Sequence, residues 1–513
     1  MKLLLAGPGT GKTTRIKSII DTDYSHCGSI LVLSFTNSTV DDLFADFSEY
    51  QNVSCSTLHS YALRINHLPN VHIIRGKTEL KAIERYANRT DIEFERFCDL
   101  VDCITFDQMI TRCVAFIRAN PVYAEDNIGK LDLLIVDEYQ DFNEAERSLV
   151  ELLQEFATET IILGDDDQSI YGFKDADPDG IISLHRSEGV EHIQHENTCY
   201  RCPDEVVQYA NSLIDLNNNR IDKALLPCGK DGAITQRQSL TRTDNDDFIL
   251  ATLGQIPENE SILVLSPVSF FMDDLRKRLE EMNIEYVDFW TPPIDEETLR
   301  RIWWLKAIFT ASKLVHLLYL GVSHLTKPRY VRILKEGLGE GGSGTLLREA
   351  IVNSGYYDQS FISHINDTPT IPEFVERHPE FASLLQDIEE DAIEKSILNI
   401  ETRLCPNPKF SPDNVNLMSI HKSKGLQADH VFLTEMNDGV IPNDTYGEDT
   451  LEAQRRLFYV GISRAKKALY VLSTIEWEGK FVHRVDKTKF EYRYKKKRYH
   501  AKMTRFIEEI HEA

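Results

Sequence analysis

Two sets of short apolar runs, alternating with helical patterns, predict an α/β protein with two parallel sheets, each interrupted by a mainly helical insertion. Three observations lead there. Leu3-Leu4-Leu5-Ala6 runs into the turn Gly7-Pro8-Gly9-Thr10-Gly11 and then a helix-like stretch from Lys12. Runs such as Ile30–Ser34 and 131–136 are apolar without alternation, as strands covered on both faces are. The strand–helix rhythm gives way to helical sequence at about 77–120 and again at about 290–409, and resumes each time.

Size and charge narrow the class. A chain of 513 residues exceeds one core and divides into several domains. A hydrophobic share of 42% with 27% charged residues is that of a globular protein. The apolar start is cut by Gly7-Pro8-Gly9 too early for a signal peptide, and 302–320, the nearest approach to a bilayer span, is broken by Lys306 and Lys313. Nine scattered cysteines fit a reduced compartment, so a cytoplasmic protein without membrane contact is expected. A formal charge of −25 argues against coating by nucleic acid but permits a local basic channel, since screening confines each charge to about 10 Å. Only the C-terminus is basic, with Lys495-Lys496-Lys497-Arg498 among Phe490, Tyr492, Tyr494 and Tyr499.

In chain order, a first βα unit is followed by a strand at Ile30–Ser34 and a helix capped by Asn37. A short strand at 53–56 precedes Thr57-Leu58-His59-Ser60. Strands at 131–136 and 161–163 flank a helix at about 143–157. The polar stretch 215–220 marks a boundary. A strand at 262–265, a helix at about 271–282, strands at 415–420 and 431–433, a helix at about 451–467 and a strand at 469–473 make the second sheet.

The opening turn carries the Walker A pattern, Ala6-Gly7-Pro8-Gly9-Thr10-Gly11-Lys12-Thr13-Thr14, with Ala6 in place of the first Gly. Glycines let backbone N–H groups curl around phosphate oxygens, and the helix start adds positive potential. Lys12 reaches the β- and γ-phosphates, and the Thr13 hydroxyl can ligate Mg²⁺. Asp137-Glu138 follows a buried strand, as a Walker B site requires: Asp137 for Mg²⁺, Glu138 to orient and deprotonate water. Asp165-Asp166-Asp167-Gln168 ends the next strand, where ligands of parallel sheets bind, and places Gln168 toward the terminal phosphate or the attacking water.

Taken together the ordered motifs resemble the UvrD/Rep-type superfamily 1 DNA helicases. They are the P-loop, Ser34-Phe35-Thr36-Asn37, Thr57-Leu58-His59-Ser60, Asp137-Glu138-Tyr139-Gln140-Asp141, and 164–171. Then come Tyr200-Arg201, Ile420-His421-Lys422-Ser423-Lys424-Gly425-Leu426 and the run 455–465. The resemblance implies two RecA-like P-loop NTPase domains, at 1–64 with 127–214 and at 215–288 with 411–480. Helical subdomains at 65–126 and 289–410 are inserted in them, and a basic aromatic tail covers 481–513. It implies ATP in the interdomain cleft and single-stranded DNA, with single/double-strand junctions, across the domain tops. Arg201 and Arg464 match arginines that cross to the γ-phosphate, Tyr200 an aromatic that stacks on adenine, and Gly425 and Gln427 positions beside the nucleotide. Phe35, Tyr171 and Phe173 match positions that stack on bases, and Asn37, His59 and His421 fit the same track.

Several features depart from the family pattern. Its adenine-reading segment before the P-loop finds no room ahead of Met1, which leaves nucleotide selectivity open. Its Trp-Arg-Gly-Ala is Phe173-Lys174-Asp175-Ala176 here, its ribose-side Glu is Gln427, and the Asn before Tyr-Arg is Cys199. Cys199 and Cys202 form a Cys-x-x-Cys, but no second pair at such spacing completes a zinc site; Cys98, Cys103 and Cys113 sit in the first insertion. The leading expectation is an ATP-dependent 3′→5′ DNA translocase and helicase. The alternatives are a DNA-dependent regulatory ATPase subunit acting with a partner such as a nuclease, and a nucleotide-binding scaffold. The tail is expected either to pack its rings on the second domain or to contact DNA or a partner.

Overall fold

In the computed structural model the described residues are 1–35, 47–66, 71–290, 294–339, 342–386, 388–406, 408–446, 449–483, 485–493 and 497–512. Asn37, with the helix expected after it, and Tyr494 to Lys496 of the basic tail lie outside them. The chain divides into two compact units, one of Met1–Tyr61, Ile117–Trp290 and Pro408–Ala513, the other of Ala62–Phe116 and Thr291–Asn407.

The first unit holds two six-stranded parallel sheets. Its first sheet is built from β1 (Lys2–Leu5), β2 (Ile30–Ser34), β3 (Val53–Thr57), β4 (Leu131–Val136), β5 (Ala157–Gly164) and β6 (Glu191–His192), in the order β3-β2-β4-β5-β1-β6. The apolar runs are strands because both faces are covered: every residue of β2 is buried. Register sets the chemistry. Leu5 lies opposite Gly164, and Leu33 opposite Val136, so Ala6, Phe35, Asp137 and Asp165 all leave the sheet at one edge.

The second sheet is built from β7 (Ala233–Ser239), β8 (Ile262–Ser266), β9 (Tyr286–Asp288), β10 (Val415–Ser419), β11 (Ala428–Leu433) and β12 (Ala465–Thr474). Its order is β9-β10-β8-β11-β12-β7. β7 and β9 are edge strands that the apolar pattern does not reveal; β7 reads Ala-Ile-Thr-Gln-Arg-Gln-Ser and is largely exposed. The helix Asp204–Ile214 packs in the core of this second sheet, with Cys199, Cys202, Val206 and Leu213 against Leu263, Leu265 and Val431. Arg201 therefore travels with the second sheet although it precedes every strand of it.

The C-terminal segment is folded. A small antiparallel sheet pairs Arg498–His500 with both Glu476–Trp477 and Glu491–Arg493. Trp477 and Phe490 join Phe271 and Val482 in a satellite core. The final helix, Arg505–Glu512, buries Phe506, Ile507 and Ile510 in the core of the second sheet. The rings of 490 and 499 thus pack on this domain, while Tyr492 stays 39% exposed.

The second unit is helical, with one short parallel pairing of His72–Ile73 with Cys103–Ile104. Both insertions contribute to a single core, in which Ile83, Tyr86 and Phe97 pack with Ile308, Tyr319 and Leu334. Tyr86 Oη donates to Leu318 O at 2.8 Å. Among the described residues no helix is long and apolar enough to cross a membrane.

Candidate active site

The turn after β1 adopts backbone that needs glycine. Gly9 and Gly11 have φ of 72° and 81°. A Cβ on Gly9 would also lie 2.5 Å from Arg201 Cβ and 3.1 Å from Cys199 Sγ, so the turn is pressed against the Tyr200-Arg201 segment. The Tyr200 N–H donates to Gly9 O at 2.9 Å, and the Gly7 N–H to Asn197 Oδ1 at 3.2 Å. Thr10 Oγ1 closes the turn on Gly7 O at 2.8 Å. Ala6 and Pro8 are buried. Thr13 is half-buried and Thr14 exposed in the first turn of the helix Lys12–Asp23. The Tyr200 ring is 66% exposed beside the turn.

Lys12 Nζ lies 3.2 Å from Asp137 Oδ1 and also contacts Glu138 Oε1. Glu138 is left-handed, φ 55°, which turns its side chain back toward Lys12. Its second oxygen accepts from Gln140 Nε2 at 2.6 Å. Burial pushes the Glu138 carboxyl up, but Lys12 and Lys424 outweigh it and hold it well below the usual carboxylate range. Asp137, the more deeply buried of the two, is raised, because Glu138 adds to its desolvation.

Residues of the second sheet complete the site. Arg464, 1% exposed, donates through Nη2 to Gln168 Oε1 at 3.3 Å and through Nε to Val460 O at 2.8 Å. Burial and the neighbouring Arg201 disfavour its charge. Arg201 donates to Gln427 Oε1 at 2.8 Å and to Ser463 O at 3.2 Å. Gly425, φ 86°, forms the turn ahead of Gln427. Lys424 reaches across to Asp141, to Gln168 O at 2.7 Å, and to within 3.6 Å of Glu138 Oε2. Lys12, Asp137, Glu138, Gln168, Arg201 and Arg464 are thereby gathered at one place between the sheets.

Four rings run beside this centre. Phe35 and Tyr171 centroids are 5.2 Å apart, Tyr171 and Phe173 5.9 Å, Phe173 and His421 5.6 Å. Lys174 Nζ lies 4.9 Å from the Phe35 centroid and 5.3 Å from that of Tyr171. Phe173 is 69% exposed. His59 is held against the helix Glu144–Gln154, its Nε2 3.6 Å from Glu146 Oε1.

Motif spacing alone did not reveal several participants. Lys424 and Gln140 lie inside recognised motifs, yet only the fold brings them to Glu138. The acidic run 165–167, the one group of described residues with metal-like spacing, is paired with Lys223, which meets all three carboxylates, and with Arg220, which meets Asp167. Arg220 ends the polar stretch that marked a boundary and Lys223 follows three residues later, where nothing in the sequence signals them. Cys199 and Cys202 are buried free thiols, with the Cys202 N–H 3.5 Å from Cys199 Sγ.

Two family models match parts of the chain. Residues 75–188 match the UvrD/REP helicase N-terminal domain, and residues 360–476 match the UvrD-like helicase C-terminal domain. These matches make the chain similar to the UvrD/Rep-type superfamily 1 helicases. The chain is similar to an ATP-dependent DNA helicase PcrA of Leuconostoc citreum, at 26% identity over 72% of this chain and 57% of that relative. It is also similar to DNA helicase II of Haemophilus influenzae, at 23% identity over 91% of this chain and 81% of the relative. The Rep helicase of Buchnera aphidicola is 23% identical over 91% and 92%. The two parallel sheets are the RecA-like pair of UvrD-type proteins.

Proposed function

We propose that the chain is an ATP-hydrolysing DNA helicase that moves 3′→5′ along single-stranded DNA in the cytoplasm. The observation that carries this reading is the convergence of Arg201, Arg464 and Lys424 on the P-loop, Glu138 and Gln168 of the other sheet. Relatives named as ATP-dependent DNA helicases support the activity.

ATP is the substrate, its phosphates cradled by the turn Gly7 to Gly11 and its base beside the exposed Tyr200. Lys12 exchanges its carboxylate contacts for the β- and γ-phosphates. That exchange removes one of the two cations holding the Glu138 carboxyl low, so Glu138 becomes more basic when water must lose a proton. The Thr13 hydroxyl and Asp137 carboxylate are hard oxygen donors that suit Mg²⁺, which when bound shields phosphate charge. Arg201 and Arg464 stabilise charge developing on the γ-phosphate, and Gln168 orients the water. The ring row Phe35, Tyr171, Phe173 and His421 stacks on successive bases of the strand, and cycles of sheet closure move it.

Steady-state ATPase rates with single-stranded DNA, RNA and duplex, together with displacement of strands bearing 3′ or 5′ tails, test the reading. Hydrolysis stimulated by single-stranded DNA and unwinding from a 3′ tail are expected. Hydrolysis indifferent to single-stranded DNA would overturn the motor.

A further inference from the structure

Arg201 and Arg464 differ from the other cations around them in what holds them. Lys12 faces Asp137 and Glu138; Lys223 faces Asp165, Asp166 and Asp167; Arg220 pairs with Asp167, and Lys424 with Asp141. The two arginines are held by neutral oxygens. Arg464 donates to Val460 O, Leu426 O, Ser463 Oγ and Gln168 Oε1, and Arg201 to Gln427 Oε1 and Ser463 O. Among the described residues neither has a carboxylate partner at ion-pair distance.

Gln427 is the side chain that keeps Arg201 so. A guanidinium only donates, so the amide must present its oxygen to Arg201 Nε–H. Its backbone is fixed: the next residue, Ala428, opens β11 and donates its N–H to Arg464 O at 3.1 Å. The second anchor of Arg201, Ser463 O, also accepts the Cys202 thiol at 3.4 Å. Both supports of the Arg201 fork therefore rest on the backbone that carries Arg464. The family's Glu at this position serves the ribose side; held against Arg201, as Gln427 is here, a carboxylate would aim the fork equally well but would neutralise it and compete with an incoming phosphate.

We propose that Gln427 is a positioning residue for Arg201, orienting its guanidinium through a neutral acceptor so that its full charge is reserved for the phosphate. The proposal rests on the ATPase reading. It differs from a role for Gln427 in gripping the nucleotide, which would alter KM alone.

The test compares kcat and KM for ATP, with saturating single-stranded DNA, in the wild type, Gln427→Glu, Gln427→Ala, Arg201→Ala and the double variant Arg201→Ala/Gln427→Glu. Gln427→Glu is expected to lower kcat by about tenfold or more with KM changed by less than about threefold. Gln427→Ala lowers kcat less, because orientation is lost but charge is not. On the Arg201→Ala background, Gln427→Glu is expected to have no further effect beyond about twofold, since the two act as one unit. A KM-only effect, an unchanged kcat, or an equal loss on the Arg201→Ala background overturns the proposal. Gln427 is exposed, so thermal midpoints should stay level; were Gln427→Glu to shift, the alanine variant and its cycle with Arg201→Ala carry the same test. A wild type without ATPase activity fails the functional reading itself, a result distinct from any of these.

Discussion

Lys424 and Asp141 join the two sheets of the first unit through one ammonium group, 2.7 Å from Asp141 Oδ1 and 2.6 Å from Oδ2. The same ammonium donates to Gln168 O and lies 5.4 Å from the centroid of Tyr171. One cation of the second sheet thus meets Asp141, the Glu138 carboxylate beside Lys12, the backbone of Gln168 and a member of the ring row.

Lys424→Ala should therefore uncouple hydrolysis from the DNA strand. The basal ATPase rate should fall modestly, while stimulation by single-stranded DNA should drop by about tenfold, the size of a lost coupling of 1–2 kcal/mol. Rates measured with and without oligonucleotide decide it; equal proportional losses in both would assign Lys424 to chemistry alone.

Glu138→Gln tests the base. The amide keeps its contact geometry but cannot accept the water proton, so kcat should fall by about 10²–10⁴-fold. Single-stranded DNA binding, measured by anisotropy in the presence of ATP, should persist. A variant that still hydrolyses within about tenfold of the wild type would remove Glu138 from the base role.

Local sequence carried the catalytic ends of the strands because each is a continuous signature: a Gly-rich turn before Lys12, an apolar run before Asp137. It could not carry what depends on two distant stretches meeting. Lys424 is 283 residues from Asp141, and its partner follows only from the facing of two sheets. Likewise Arg220 ends a polar stretch that reads as linker and Lys223 lies just beyond it, yet between them they pair with three buried aspartates. β7 escaped for a different reason. An edge strand packs along one side only, so its residues need no apolar run. The merged core of the two insertions was equally illegible, since helical periodicity marks a buried face without naming what covers it.

Asp141 gives the site a pH signature. Burial pushes its carboxyl up to about 7, against the opposing pull of Lys424. An unfolded Asp releases its proton near pH 4, so between about pH 4 and 7 the native state binds the extra proton. This contribution to stability is fully present below the unfolded value and is lost as pH rises through the folded one. Asp141→Asn removes the titration. The unfolding free energy of the wild type minus that of the variant should decrease from pH 5 to 7.5 in denaturant titrations. A difference that stays flat or rises contradicts the assignment.

Phe173 is the most accessible of the ring row, 69% exposed, and meets Tyr171 on one side and His421 on the other at T-shaped angles of 72° and 77°. An exposed ring of this size has no packing reason to be there, while a base sliding over it would find a π-face continued by rings from both sheets. Phe173→Ala should weaken single-stranded DNA binding by about 5- to 150-fold, corresponding to about 1–3 kcal/mol for one stacked base. Because the ring buries little, the thermal midpoint should hardly move, and affinity for a nucleotide analogue without DNA should remain. Phe173→Trp should retain binding, since a larger face stacks as well. Loss of nucleotide affinity together with DNA affinity would instead mean that the turn carrying Phe173 supports Gln168, five residues earlier, and that the row is structural.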